Sequence, residues 1–94
     1  MAYVIHPNGQ ERIVTPEGPD GKMDYDQIRK EVDCDLVQCI ELDGGRTMWL
    51  DEEGKFNPHL EANPKATELL RETGGIPGDF VLGRALICGP AEVE

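Results

Sequence analysis

Asn63-Pro64-Lys65-Ala66-Thr67-Glu68-Leu69-Leu70, followed past a glycine pair by Gly78-Asp79-Phe80-Val81-Leu82-Gly83-Arg84-Ala85-Leu86-Ile87, decides the fold class of this chain. The first run reads as a helix. Asn63 offers a capping side chain, and Pro64 takes the first helical position, where its missing N–H costs nothing. The helix should reach about residue 73 and stop at Gly74-Gly75, because glycine accepts the left-handed conformation past a helix end. The second run, residues 80–88, is apolar at nearly every position, as expected of a strand covered on much of both faces. A capped helix leading into a buried strand, in 94 residues, predicts a single small α+β domain over residues 1–90 with a frayed tail at 91–94.

Upstream, residues 3–6 form a β-branched and aromatic run, and residues 12–15 form another. Asn8-Gly9 between them predicts a hairpin with a type I′ turn, since both residues tolerate positive φ. Residues 16–21 hold two prolines and two glycines and should be a loop. Asp24 can cap a helix in which Tyr25, Ile28 and Val32 repeat on one face. Residues 36–42 alternate as a strand, with Leu36, Ile40 and Leu42 on one side and Val37, Cys39 and Glu41 on the other. Asp43-Gly44-Gly45 turns the chain into a returning strand at 47–50, and Asp51-Glu52-Glu53-Gly54 turns it again. Asn57-Pro58 starts at most a turn or two of helix. The order is ββαββαβ: a sheet of about five strands, mixed or antiparallel, packed with two helices. The expected core is Ile5, Ile28, Val32, Leu36, Ile40, Leu69, Leu70, Val81 and Ile87.

Charge is the extreme quantity: 19 acidic against 9 basic residues, a net of −10. Such a surface repels nucleic acid and anionic lipid, because phosphate contacts need Lys and Arg. Asp26 and Lys30 stand at helical i,i+4 spacing and should pair. No apolar run approaches the ~20 residues that span a bilayer, and residues 1–7 lack the pattern of a signal peptide. Three cysteines without paired spacing argue against a secreted disulfide framework. The expected setting is a reducing cytoplasm.

Catalytic and metal motifs are weak. Cys34, Cys39, Cys88 and His6 could ligate zinc in principle, but their spacing is not that of a zinc site, and no metal or cofactor is expected. A Cys–His nucleophile pair using His6 or His59 has no local signature. Asp20, Asp24 and Asp26 lack the order of a calcium loop. Adjacent acids in a turn, as at 51–53, usually face water. The cysteines are expected to be structural, with Cys39 and Cys88 mostly buried and Cys34 more accessible.

The opening hairpin, the Asp-Glu-Glu-Gly-Lys turn, Asn-Pro-x-Ala-Thr-x-Leu-Leu and Gly-Asp-Phe-Val-Leu-Gly together resemble a domain-of-unknown-function family of small proteins encoded by bacteria, phages and plasmids. The resemblance covers most of the chain, most weakly residues 16–32. It implies no catalytic residues; it implies an accessory protein of a bacterium or mobile element. The resulting expectation is a non-enzymatic binding or regulatory module that acts through contacts with a protein partner, without direct nucleic-acid or membrane contact. A first alternative is a small-ligand binder or enzyme with a site near Asn63, Thr67 and Asp79. A second is an acidic DNA mimic, in which the acids of residues 24–35 and 51–53 would line one face.

Overall fold

The computed structural model describes residues 2–54, 58–72 and 80–93. The expected glycine stop at Gly74-Gly75, the Asn57 cap and the candidate site residue Asp79 lie outside the described residues. The strands and helices are β1 (Ala2–Ile5), β2 (Glu11–Val14), α1 (Tyr25–Val32), β3 (Val37–Glu41), β4 (Thr47–Asp51), α2 (Pro64–Glu72) and β5 (Ala85–Cys88), in ββαββαβ order. The sheet runs β2-β1-β5-β4-β3, and every neighbouring pair is antiparallel.

β5 comes last in the chain and sits at the centre of the sheet, with all four of its residues buried. Side chains alternate across a strand, so it feeds two cores. Ala85 and Ile87 join Ile5, Met48, Leu50, Ala66 and Leu70 on the α2 side. Leu86 and Cys88 join Ala2, Val4, Val14, Ile28 and Val32 on the α1 side. One helix therefore covers each face, and that is why β5 contains no polar residue. Each large core side chain contributes about 1.5–3 kcal/mol on burial.

Local chemistry explains the elements. Asp24 caps α1 by accepting from Gln27 N–H at 2.8 Å, and Asp33 ends it in the left-handed conformation at φ 63°. Asp26 pairs with Arg29 at i,i+3, where Lys30 was expected. The side chain of Gln27, itself buried, donates to Thr15 O at 2.9 Å and accepts from Glu17 N–H at 2.9 Å. Those bonds fasten the proline- and glycine-rich loop to α1.

Several expectations are corrected. The first hairpin does not use a type I′ turn: Gly9 alone has positive φ (91°), His6 O accepts from Gly9 N–H at 2.9 Å, and His6 N–H donates to Gln10 O at 2.8 Å. Pro7 fixes its own φ near −65°, which sets a type I turn and passes the left-handed position on to Gly9. Residues 80–84 are not part of β5. Val81 O accepts from Asn63 N–H, Gly83 N–H donates to Glu61 O, both at 2.8 Å, and Ala62 bridges Leu82. Gly83, at φ 76°, redirects the chain before the sheet strand begins at Ala85. Leu36, expected in the core, is 47% exposed, because it precedes the outermost strand. Ile40 and Leu69 are only partly buried. Cys39 is exposed rather than buried: Val37 packs with the α1-side cluster, but that cover does not extend to Cys39.

Residues 91–93 are held rather than frayed. Met23 N–H donates to Glu92 O at 2.7 Å, Val93 bridges Met23 in parallel, and Glu92 Oε1 accepts from Gly89 N–H at 2.6 Å. Burial alone would raise the Glu92 carboxyl, but hydrogen bonds led by the Gly89 N–H hold it below its ordinary value. A carboxyl depressed in the folded state contributes stability above its unfolded pKa and loses it as pH falls through the folded value. The melting temperature of Glu92→Gln should therefore lie below that of the wild type at about pH 7, and the gap should close below about pH 4. A gap that is constant with pH would show that the carboxylate contributes nothing as a charge.

Candidate functional site

Two of the three residues singled out by the sequence meet in the structure. Asn63 is fully buried at the start of α2. Its Nδ2 donates to Ile5 O at 2.9 Å and Gly83 O at 2.8 Å, and its Oδ1 accepts from Ala66 N–H at 3.1 Å. Thr67 lies one helical turn on. Its hydroxyl donates to Asn63 O and accepts from Val81 N–H, both at 2.8 Å. The pair thus joins the end of β1, the first turn of α2 and the 81–83 segment. Both donors of the Asn63 amide and the proton of the Thr67 hydroxyl are engaged within the protein, so this geometry is that of a structural clamp.

His6 follows β1, whereas Cys39 lies on β3, with β5 and β4 between them. Among the described residues no cluster of three or more His, Cys, Asp or Glu is placed to hold a metal ion. Burial, then Glu92, pushes the Cys88 thiol up to about 12. Burial first, and then Asp51, Asp35 and Asp33, pushes the Cys34 thiol up to about 11, and its Sγ donates to Leu36 O at 3.3 Å. None of these settings favours a thiolate.

Cys34 also reports a concentration of negative charge. An open groove of about 920 Å³ lies where the C-terminal end of α1 meets the segment leading into β3 and the end of β4. It is lined by Asp26, Asp33, Asp35, Asp51 and Glu53, with Arg29 and Lys30 as its cations and Leu36 and Pro58 as apolar surface. Arg29 is already engaged: it pairs with Asp26, and its guanidinium carbon sits 5.2 Å from the Tyr25 ring centroid. Sequence reasoning identified the acids of this groove but placed Leu36 in the core. A signal was present, since Asp33-Cys34-Asp35-Leu36 follows a helix end and puts one large apolar residue beside acids.

The fold and the groove define a small α+β domain with an acid-lined groove at the end of α1 and an internally satisfied polar clamp. The chain belongs to a family with a domain of unknown function (DUF3846), whose family model matches residues 1–94. No curated protein and no solved structure matches it. Among the described residues no helix is long and apolar enough to cross a membrane.

Replacing Asn63 with Ala takes away the donors it gives to Ile5 O and Gly83 O and removes the helix cap. The expected loss is about 2–4 kcal/mol. Thr67→Val strands the Val81 N–H and should cost about 1–3 kcal/mol, whereas Thr67→Ser keeps the hydroxyl and should lose less than about 1. Chemical denaturation of the three variants checks this, and an Asn63→Ala protein as stable as wild type would remove the clamp from the account. For the thiols, a maleimide at about pH 7 should modify Cys39 first, Cys34 slowly and Cys88 only after unfolding. Peptide mass spectrometry over time reads the order.

Proposed function

We propose that this domain is a non-enzymatic binding or regulatory module that engages a cationic surface of a partner protein through the groove at the end of α1. The observation that carries the reading is the convergence of Asp33, Asp35, Asp51 and Glu53, from two separate stretches of chain, around exposed Leu36. Acids surrounding an apolar side chain offer charge selection and an anchor together. The net charge of −10 adds long-range steering toward a basic partner. We place such a module in the cytoplasm of a bacterium, as an accessory protein of the cell or of a mobile element.

A second reading, imitation of DNA, draws support from the same place, because acids of residues 24–35 and 51–53 border one groove. Lys30 and Arg29 interrupt that negative stripe, and a mimic profits from an unbroken one. The small-ligand or enzymatic reading near Asn63, Thr67 and Asp79 requires the hydrogen bonds of Asn63 and Thr67 to be given up, so it is the weaker alternative.

The test compares wild type with the combined Asp33→Asn, Asp35→Asn and Asp51→Asn variant in affinity capture from bacterial lysate, after circular dichroism shows both folded. A partner retained by wild type, missing from the variant, and released as salt rises from about 0.05 to about 0.3 M supports the reading. Release of that partner by double-stranded DNA shifts it to mimicry. Identical capture by both proteins, insensitive to salt, overturns it.

A further inference from the structure

The opposite edge of the sheet carries an apolar surface that the fold leaves open. α2 covers Ile5 but leaves Tyr3 and Leu69 only partly buried, and Ile13 is 66% exposed. Ile13 pairs with Tyr3 in the β1–β2 ladder, so the two stand side by side on the α2 face. Between Tyr3 and α2 runs a groove of about 290 Å³, rimmed by Glu11, Glu68, Glu72 and Lys65. Lys65 is ion-paired to Glu11, which leaves Glu68 and Glu72 as exposed acids on the helix side. β2 ends the sheet, and among the described residues no strand pairs with its outer edge.

We infer that this edge takes an extended cationic segment of a partner protein, added as a further strand beside β2 with the side chains of one face against Ile13 and directed toward the acidic rim of the Tyr3–Leu69 groove. The surface is distinct from the acidic groove at the end of α1 and does not depend on it. Three features select this occupant. The free strand edge offers main-chain hydrogen bonds to an extended segment, which a helix cannot use. Ile13 offers an apolar anchor whose cross-strand neighbour would sit about 4.5–5.5 Å away between Cβ atoms. The acids of the rim favour Lys or Arg two residues from that apolar position, on the same face of the incoming strand and long enough to reach Glu68 or Glu72. A second copy of the chain fits poorly, because it would bring a net charge of −10 against another −10.

The experiment uses isotope-labelled full chain and a short capped peptide in which Lys, Val and Lys alternate with Thr. Two control peptides carry Glu for Lys, or Pro at the centre. At about 1 mM the first peptide should shift the amides of residues 11–14 and slow their exchange. The Glu and Pro peptides should not. Ile13→Lys, a change at an exposed position that melting should show to be tolerated, should weaken binding at least about tenfold. The inference is overturned if the β2 amides do not move, if Ile13→Lys binds as well as wild type, or if the shifts centre on residues 33–36 and 51. A concentration-dependent dimer that Ile13→Lys dissolves would give the edge to a second copy and overturn it equally. Because the readout is local to β2, its failure leaves the α1 groove untouched.

Discussion

A single buried amide ties the end of β1, the start of α2 and the approach to β5 to one another. Asn63 gives one proton to the end of β1, through Ile5 O, and the other to Gly83 O, just before the central strand. Its oxygen meanwhile closes the first turn of α2. Away from water each of these groups must find a partner inside the protein, and an unmet one costs about 1–3 kcal/mol. That demand fixes where α2 begins, where the chain after it must return, and where β5 enters the sheet. Thr67 repeats the constraint one turn later by receiving the Val81 N–H. Against a net stability of about 5–15 kcal/mol for a domain of ordinary size, the clamp accounts for a large share of what holds α2 and the approach to β5 against β1.

The clamp matters because of the position of β5. The last strand in sequence lies in the middle of the sheet, between strands laid down much earlier, so the two hairpins β1–β2 and β3–β4 have no direct pairing until β5 separates and joins them. Both helices pack on what β5 completes. Each hairpin is a local structure that closes a short loop, and an isolated two-stranded hairpin is marginal in water. The insertion of β5 is the long-range step that turns them into one hydrophobic unit, and the contacts of Asn63 and Gly83 aim it.

Much of this was legible in the sequence, for reasons that differ by element. Asp24 and Asn63 announced their helices because capping is a local hydrogen bond that needs only the right side chain at the right offset. The apolar residues 85–88 announced a strand with two covered faces, since no polar residue interrupts them. The type I′ turn was misread because Asn-Gly was weighed without its preceding proline, which fixes φ one residue earlier. Leu36 and Cys39 were placed inside because periodicity reports which residues share a face and not whether anything covers that face. β3 turned out to be an edge strand, and strand order depends on contacts far apart in sequence. The same limit applied to the candidate site. Asn63 and Thr67 were recognised as special, but only the structure showed that the groups they bond are the protein's own.

The placement of the charge follows from the same architecture. Several cations are tied down by acids, as in Arg12 with Glu31, Arg29 with Asp26 and Lys65 with Glu11. Pairing basic residues in this way removes them from the free surface and leaves the unpaired acids to set its potential. A helix C-terminus carries a partial negative charge of its own, so acids gathered at the end of α1 add to the dipole there instead of cancelling it. Solvation alone would favour acids spread apart, because crowding like charges at one helix end raises the energy of the free protein. A cationic surface brought to that place relieves the repulsion and gains the attraction together. Added salt then acts in two directions, screening the crowding within the domain and the attraction toward a partner. The arrangement that is least favourable for the domain alone is the one from which a basic partner gains most.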